Sequence, residues 1–84
     1  MARQRDRHRL ALAHLRRKEW AKAHEIVMEL HDKLAFRMHG LAHRIEGDMD
    51  NARYWYDRAG VPFRKSARLA TELKEIESAM NARP

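Results

Sequence analysis

The sequence predicts an all-α domain of five short helices, arranged as two antiparallel hairpins followed by a C-terminal capping helix. Three observations predict it. Gly and Pro number only 3 and 2 in 84 residues, while Ala, Leu, Arg and Glu are plentiful, and that composition favours helix. Apolar residues recur at spacings of three and four rather than alternating. Start and stop signals fall at four places and cut the chain into pieces of helical length. The predicted helices span about residues 4–17, 19–31, 33–46, 48–60 and 64–80. The turns between them are short enough to force neighbours into hairpins. Residues 1–84 form one domain: 1–31 the first hairpin, 32–60 the second, 61–80 the capping helix and 81–84 a tail.

Each element has a local reason. The first helix carries a stripe of Leu10, Ala11, Ala13 and His14, and stops at a charged Lys18-Glu19 connection. The second carries Trp20, Ala23, Val27 and Leu30. Asp32 then stands where a side chain can cap the free amides of the third helix. That helix presents Phe36, His39, Gly40 and His43. Gly47 closes it in the left-handed conformation and Asp48 caps the fourth. Ala52, Trp55, Tyr56 and Ala59 share one face of the fourth helix, so Trp55 and Tyr56 pack on the third and fifth helices while Tyr54 faces solvent. Gly60 ends this helix and Pro62 opens the next stretch. The fifth helix aligns Leu69, Leu73, Ile76 and Met80, leaving Lys74, Glu75 and Glu77 exposed.

Composition excludes several classes. There is no cysteine, so neither a disulfide nor a thiolate metal site is available. No apolar run approaches the ~20 residues of a membrane span. The basic start, MARQRDRHR, lacks the apolar segment of a signal peptide, and a reduced cytoplasmic setting is the expectation. Ser66, Thr71 and Ser78 lie far in sequence from any histidine, and no Gly-rich phosphate loop occurs. No enzyme class is indicated.

A repeat at an offset of 29 residues runs through the first two hairpins. Leu10-Ala11-x-x-His14, then Lys18-Glu19-Trp20-x-x-Ala23, recurs as His39-Gly40-x-x-His43, then Gly47-Asp48-Met49-x-x-Ala52. Small residues at Ala11/Gly40 and Ala23/Ala52 let paired helices close on one another. The stretch AFRMHGLAHRIEGDMDNARYWYDRAG resembles a tetratricopeptide repeat, with Phe36 at the first aromatic and Gly40 at the small position. Gly47-Asp48 falls at its turn, and Ala52, Tyr56 and Ala59 follow along the second helix. His39 and His43 depart from that pattern, and the period is shorter than the usual 34. Residues 20–60 are also similar to a group of small uncharacterised bacterial helical proteins, through Ala23-His24-Glu25, His39, His43-Arg44, Glu46-Gly47-Asp48, Asn51-Ala52, Tyr54-Trp55-Tyr56 and Arg58-Ala59.

The resemblance implies a protein–protein interaction module. In such arrays the first helices of each pair line a concave groove. Here that places Leu12, Leu15, Leu34, Arg37, Leu41 and Arg44 on an interaction surface, apolar in the middle and positive at its margins. It suits a protein or peptide partner with acidic groups and apolar anchors. The asparagines of a carboxylate clamp are missing. A second copy of the chain, making a homo-oligomer, is another way to cover the leucines.

The histidines give the alternative. All six precede residue 44. His39, His43 and Glu46 follow i, i+4, i+7 and share one helix face, as do His24 and His31 on the helix before. The repeat geometry implies that His24, His31, His39 and His43 meet between helices 2 and 3, with Glu46 beside them. No cofactor is required by the first reading. By this one, the cluster holds zinc, another divalent metal or a small ligand. Space-filling histidines, bonded to Glu25, Glu46 or backbone, are the simpler account.

A third reading rests on charge. Net charge is +6, and residues 1–24 hold eight Lys/Arg against two acids. Arg3, Arg5, Arg7 and Arg9 suit non-specific attraction to nucleic acid phosphates, though no recognition motif accompanies them.

Overall fold

A helix buried on almost every side organises the chain. This is α3 (Lys33–Glu46), in a computed structural model that describes the backbone of residues 2–82 and the side chains of residues 4–82. Leu34, Ala35 and the run 38–43 are all buried. Around it stand α1 (Ala2–Arg16), α2 (Trp20–Val27), α4 (Met49–Ala59) and α5 (Leu69–Asn81). The fold is all-α, as expected, with no strand among the described residues. α1 packs with α2 and α3 with α4, giving the two hairpins, and α2 lies against α3. Of the predicted tail, Asn81 ends α5, Ala82 caps it, and 83–84 lie outside the described residues.

The caps act as their chemistry dictates. The Asp32 side chain accepts the Ala35 N–H at 2.7 Å, and the Asp48 side chain accepts that of Asn51 at 3.2 Å. Gly47 (φ 99°) and Gly60 (φ 74°) take left-handed conformations that close α3 and α4. The repeat is visible in the backbone itself. Asp48 N–H bonds the His43 carbonyl at 2.9 Å, and 29 positions earlier Glu19 N–H bonds the His14 carbonyl at 2.9 Å. Lys18 occupies the place of Gly47 and takes φ 61°, the one described non-glycine residue with positive φ.

Three expectations change at element level. α2 ends at Val27, because its last amides turn inward to carbonyls three residues back: Glu29 to Ile26 and Leu30 to Val27. α5 starts at Leu69 rather than 64. A first turn containing Arg64 and Lys65 would set positive charge against the positive end of the helix dipole. α1 buries His8, Ala11, Leu12 and Leu15, an i, i+3, i+4, i+7 face, in place of the 10-11-13-14 stripe, and Leu10 is 52% exposed.

The largest change concerns α5. It crosses back onto α3 and α1. Ile76 and Met80 join one core with Leu12, Leu15, Leu34 and Leu41, flanked by Leu69 and Leu73. Glu72, on the same side, is completely buried. Its Oε1 accepts from the Tyr56 hydroxyl at 2.8 Å and its Oε2 from Arg64 at 2.7 Å. Arg37 completes the latch, reaching Glu75 at 2.6 Å and Glu72 at 3.4 Å. Tyr56 therefore packs on α3 and α5 as expected, whereas Trp55 faces Phe36 and His39 of α3.

Candidate metal centre between α2, α3 and α4

α2 brings His24 to the face of α3 that carries His39 and His43. Ala23 on α2 and Ala35 and Ala42 on α3 are small, buried members of one core. The His24 ring meets His39 edge-on at 4.6 Å between centroids and His43 at 5.0 Å. His39 and His43 stack at 5.1 Å, one helical turn apart. One nitrogen from each of the three rings lies within 4.8 Å of the others. α4 closes the group from the other side: the Trp55 indole lies on His39 at 3.8 Å, tilted by only 12°. Phe36 backs Trp55 at 5.5 Å, and the Arg58 guanidinium sits over both rings.

The electrostatics favour the neutral rings of His39 and His24. Burial, then the neighbouring His24 and His43, push the pKa of His39 down to about 3. Burial and His43 also lower that of His24, while Glu46 and Glu25 act in the opposite sense. Neutral imidazoles retain the lone pairs that a cation needs. Glu46 reaches His43, its Oε1 lying 2.9 Å from Nδ1. Asp48 is near the same histidine, but it is engaged as the α4 cap, accepting from the Asn51 backbone and, at 2.7 Å, from its side chain.

His24, His39, His43 and Glu46 thus come together where the sequence placed them. His31 does not join them. It lies beyond the early end of α2, is exposed, and no longer continues the face of His24. Trp55 is the member that the sequence reading missed as part of this cluster. Its spacing marked it as packed, but nothing local showed that a histidine would be its partner.

The expected interaction groove is a different matter. Leu12, Leu15, Leu34 and Leu41 are buried, and they do not line an open surface. Arg37 is held by Glu72 and Glu75, and Arg44 donates to the carbonyls of Lys65 and Ala67. The groove between α1 and α3 is filled by α5. That helix has the chemistry expected of a groove ligand, with acidic groups and apolar anchors, but it belongs to the chain itself. The leucines that a second copy was expected to cover are covered in the same way.

The basic N-terminal segment is partly committed as well. Arg7 pairs with Glu29 at 2.9 Å and Arg9 with Asp6 at 3.8 Å, while the Arg3 side chain lies outside the described residues. Among the described residues lie two hollows. One, of about 220 Å³, is lined by Lys18, Leu41, Arg44, Ile45 and Leu69. The other, of about 310 Å³, lies among Lys33, Leu34, Arg37, Ala59, Val61 and Ala79. Neither gathers groups with metal-binding or catalytic chemistry. Among the described residues no helix is long and apolar enough to cross a membrane. No family model, curated protein or solved structure matches the chain.

Proposed function

We propose that this chain is a small helical metal-binding protein that takes one divalent transition ion through His24, His39 and His43. The observation that carries the reading is the convergence of three imidazoles from two helices, with candidate ligand nitrogens within 4.8 Å of one another. Zn–N bonds of about 2.0–2.1 Å in tetrahedral array place ligand nitrogens roughly 3.3 Å apart. Closure therefore asks for about 1.5 Å of movement at most, which side-chain torsions supply. An all-imidazole set suits zinc, copper or nickel and not magnesium or calcium, which prefer oxygen. The ion would join α2 to α3 and so fasten the first hairpin to the second.

The tetratricopeptide-like repeat enters this proposal as the frame that sets α2 against α3. A groove-binding role has no comparable support, because α5 fills the groove.

Metal titration of untagged protein, with bound metal counted after dialysis, tests the reading. One zinc or cobalt per chain is expected, with loss of binding in His39→Leu and His43→Leu and none in His31→Ala. Parent protein that retains no ion, or binding that survives both leucine variants, overturns it.

A further inference from the structure

Resting on that metal reading, we infer that Glu46 is the positioning residue of the site: its carboxylate fixes His43 with the proton on Nδ1 and turns a bare Nε2 towards the ion. The geometry dictates the proton's place. An ionised carboxylate only accepts hydrogen bonds, so the 2.9 Å contact from Glu46 Oε1 requires Nδ1 to be the donor. With the proton on Nδ1, the ring nitrogen free for a ligand is Nε2, and one ring nitrogen of His43 lies within 4.8 Å of one each from His24 and His39. Histidines bound to metals commonly donate their other ring N–H to a carboxylate, which orients the ring and raises its basicity.

The arrangement is built into the end of α3. Glu46 is the last helical residue and His43 stands three positions before it, so the two side chains are neighbours on the helix surface. His43 is buried, while Glu46 lies at the exposed rim. The carboxylate therefore also brings a negative charge close to where a dication would sit. The first repeat supplies a comparison within the same molecule. His14 Nδ1 meets Glu19 Oε1 at 2.7 Å, but His14 has no second histidine stacked on it among the described ring pairs. Among the described residues three histidines meet a carboxylate, His8 with Asp32, His14 with Glu19 and His43 with Glu46, and only the one facing two more imidazoles becomes a site.

The test uses full-length protein carrying ¹⁵N-labelled histidine. Long-range ¹H–¹⁵N spectra of the metal-free parent at pH 8 are expected to show His43 protonated at Nδ1 and bare at Nε2. In Glu46→Ala that tautomer should be lost, and cobalt or zinc affinity should fall by roughly 10- to 100-fold. Glu46→Gln, which keeps an acceptor without the charge, should retain the tautomer with a smaller loss of affinity. Glu19→Ala should change His14 alone and leave affinity as it was. A parent His43 protonated at Nε2 overturns the inference, and so does a Glu46→Ala protein with unchanged tautomer and affinity. If the parent takes up no metal, the metal reading and the affinity claim fall together. The tautomer spectrum still decides whether Glu46 holds His43.

Discussion

The imidazole of His39 lies flat on the indole of Trp55, with ring centroids 3.8 Å apart. The stack ties α3 to α4 and leaves His39 only 5% exposed. A buried, stacked ring is a poor place for a positive charge.

Acidification should therefore weaken the metal-free fold. The folded-state pKa of His39 is pushed down to about 3, against about 6.5 in an unfolded chain. Between those values the unfolded state binds one more proton than the folded state. Stability is complete above about pH 6.5 and declines as pH falls towards 3. One such group contributes about 1.4 kcal/mol per pH unit. His24 of α2 and His43 of α3 face the same ring, with Glu46 and Glu25 offsetting part of the effect at His24. Urea midpoints at pH 7.5 and 5.5 check this. The parent should lose on the order of 1 kcal/mol more than His39→Phe over that interval, and equal losses contradict the assignment.

Lys18→Gly should stabilise the protein. Lys18 holds φ 61° at the end of α1, where the second repeat has Gly47. A left-handed conformation costs a residue with a Cβ about 1–2 kcal/mol, part of which returns through the greater freedom of glycine in the unfolded chain. A net gain of about 0.5–1 kcal/mol in thermal or chemical unfolding is expected.

Gly40→Ala should do the reverse. A Cβ at Gly40 would press on the Tyr56 ring, 2.6 Å from Cε1, and come within 3.1 Å of the Ala52 carbonyl. Tyr56 cannot swing away freely, because its hydroxyl is bonded to buried Glu72. A loss of about 1–3 kcal/mol is expected, the usual cost of overpacking. A variant that melts with the parent would show that α3 and α4 can separate at no cost.

Glu72→Ala should release α5. The carboxylate is fully buried and accepts from Tyr56, Arg37 and Arg64, so its removal leaves the buried Tyr56 hydroxyl without this acceptor and leaves Arg37 and Arg64 with Glu75 alone. Leaving a buried donor unsatisfied costs about 1–3 kcal/mol. Hydrogen exchange should report it, with α5 amides losing protection before those of α3.

Local chemistry was legible in the sequence, and long-range packing much less so. Asp32, Asp48, Gly47 and Gly60 act at the helix ends predicted for them, and α3 has its predicted bounds. Helix periodicity put His39 and His43 on one face, and the packing implied by the tetratricopeptide resemblance set His24 against it. Nothing near Glu72 in sequence reveals that Arg37 and Tyr56 come from other helices to meet it. The buried face of α1 was misread for a related reason. His8 looks polar in isolation, yet its ring pairs with Asp32 at 2.9 Å, where Asp32 also caps α3. Placement of α5 across α1 and α3 depends on which apolar faces remain open after the hairpins form, and no single segment encodes that.

Residues 60–68 tether α5 to the surface it covers. In the language of binding, the groove carries a ligand at fixed stoichiometry whose effective concentration is on the order of millimolar, as for a short flexible link. A free helix with the same anchors would have to reach that concentration to displace half of it. Screens of this chain against dilute peptides would then report the tether rather than the groove.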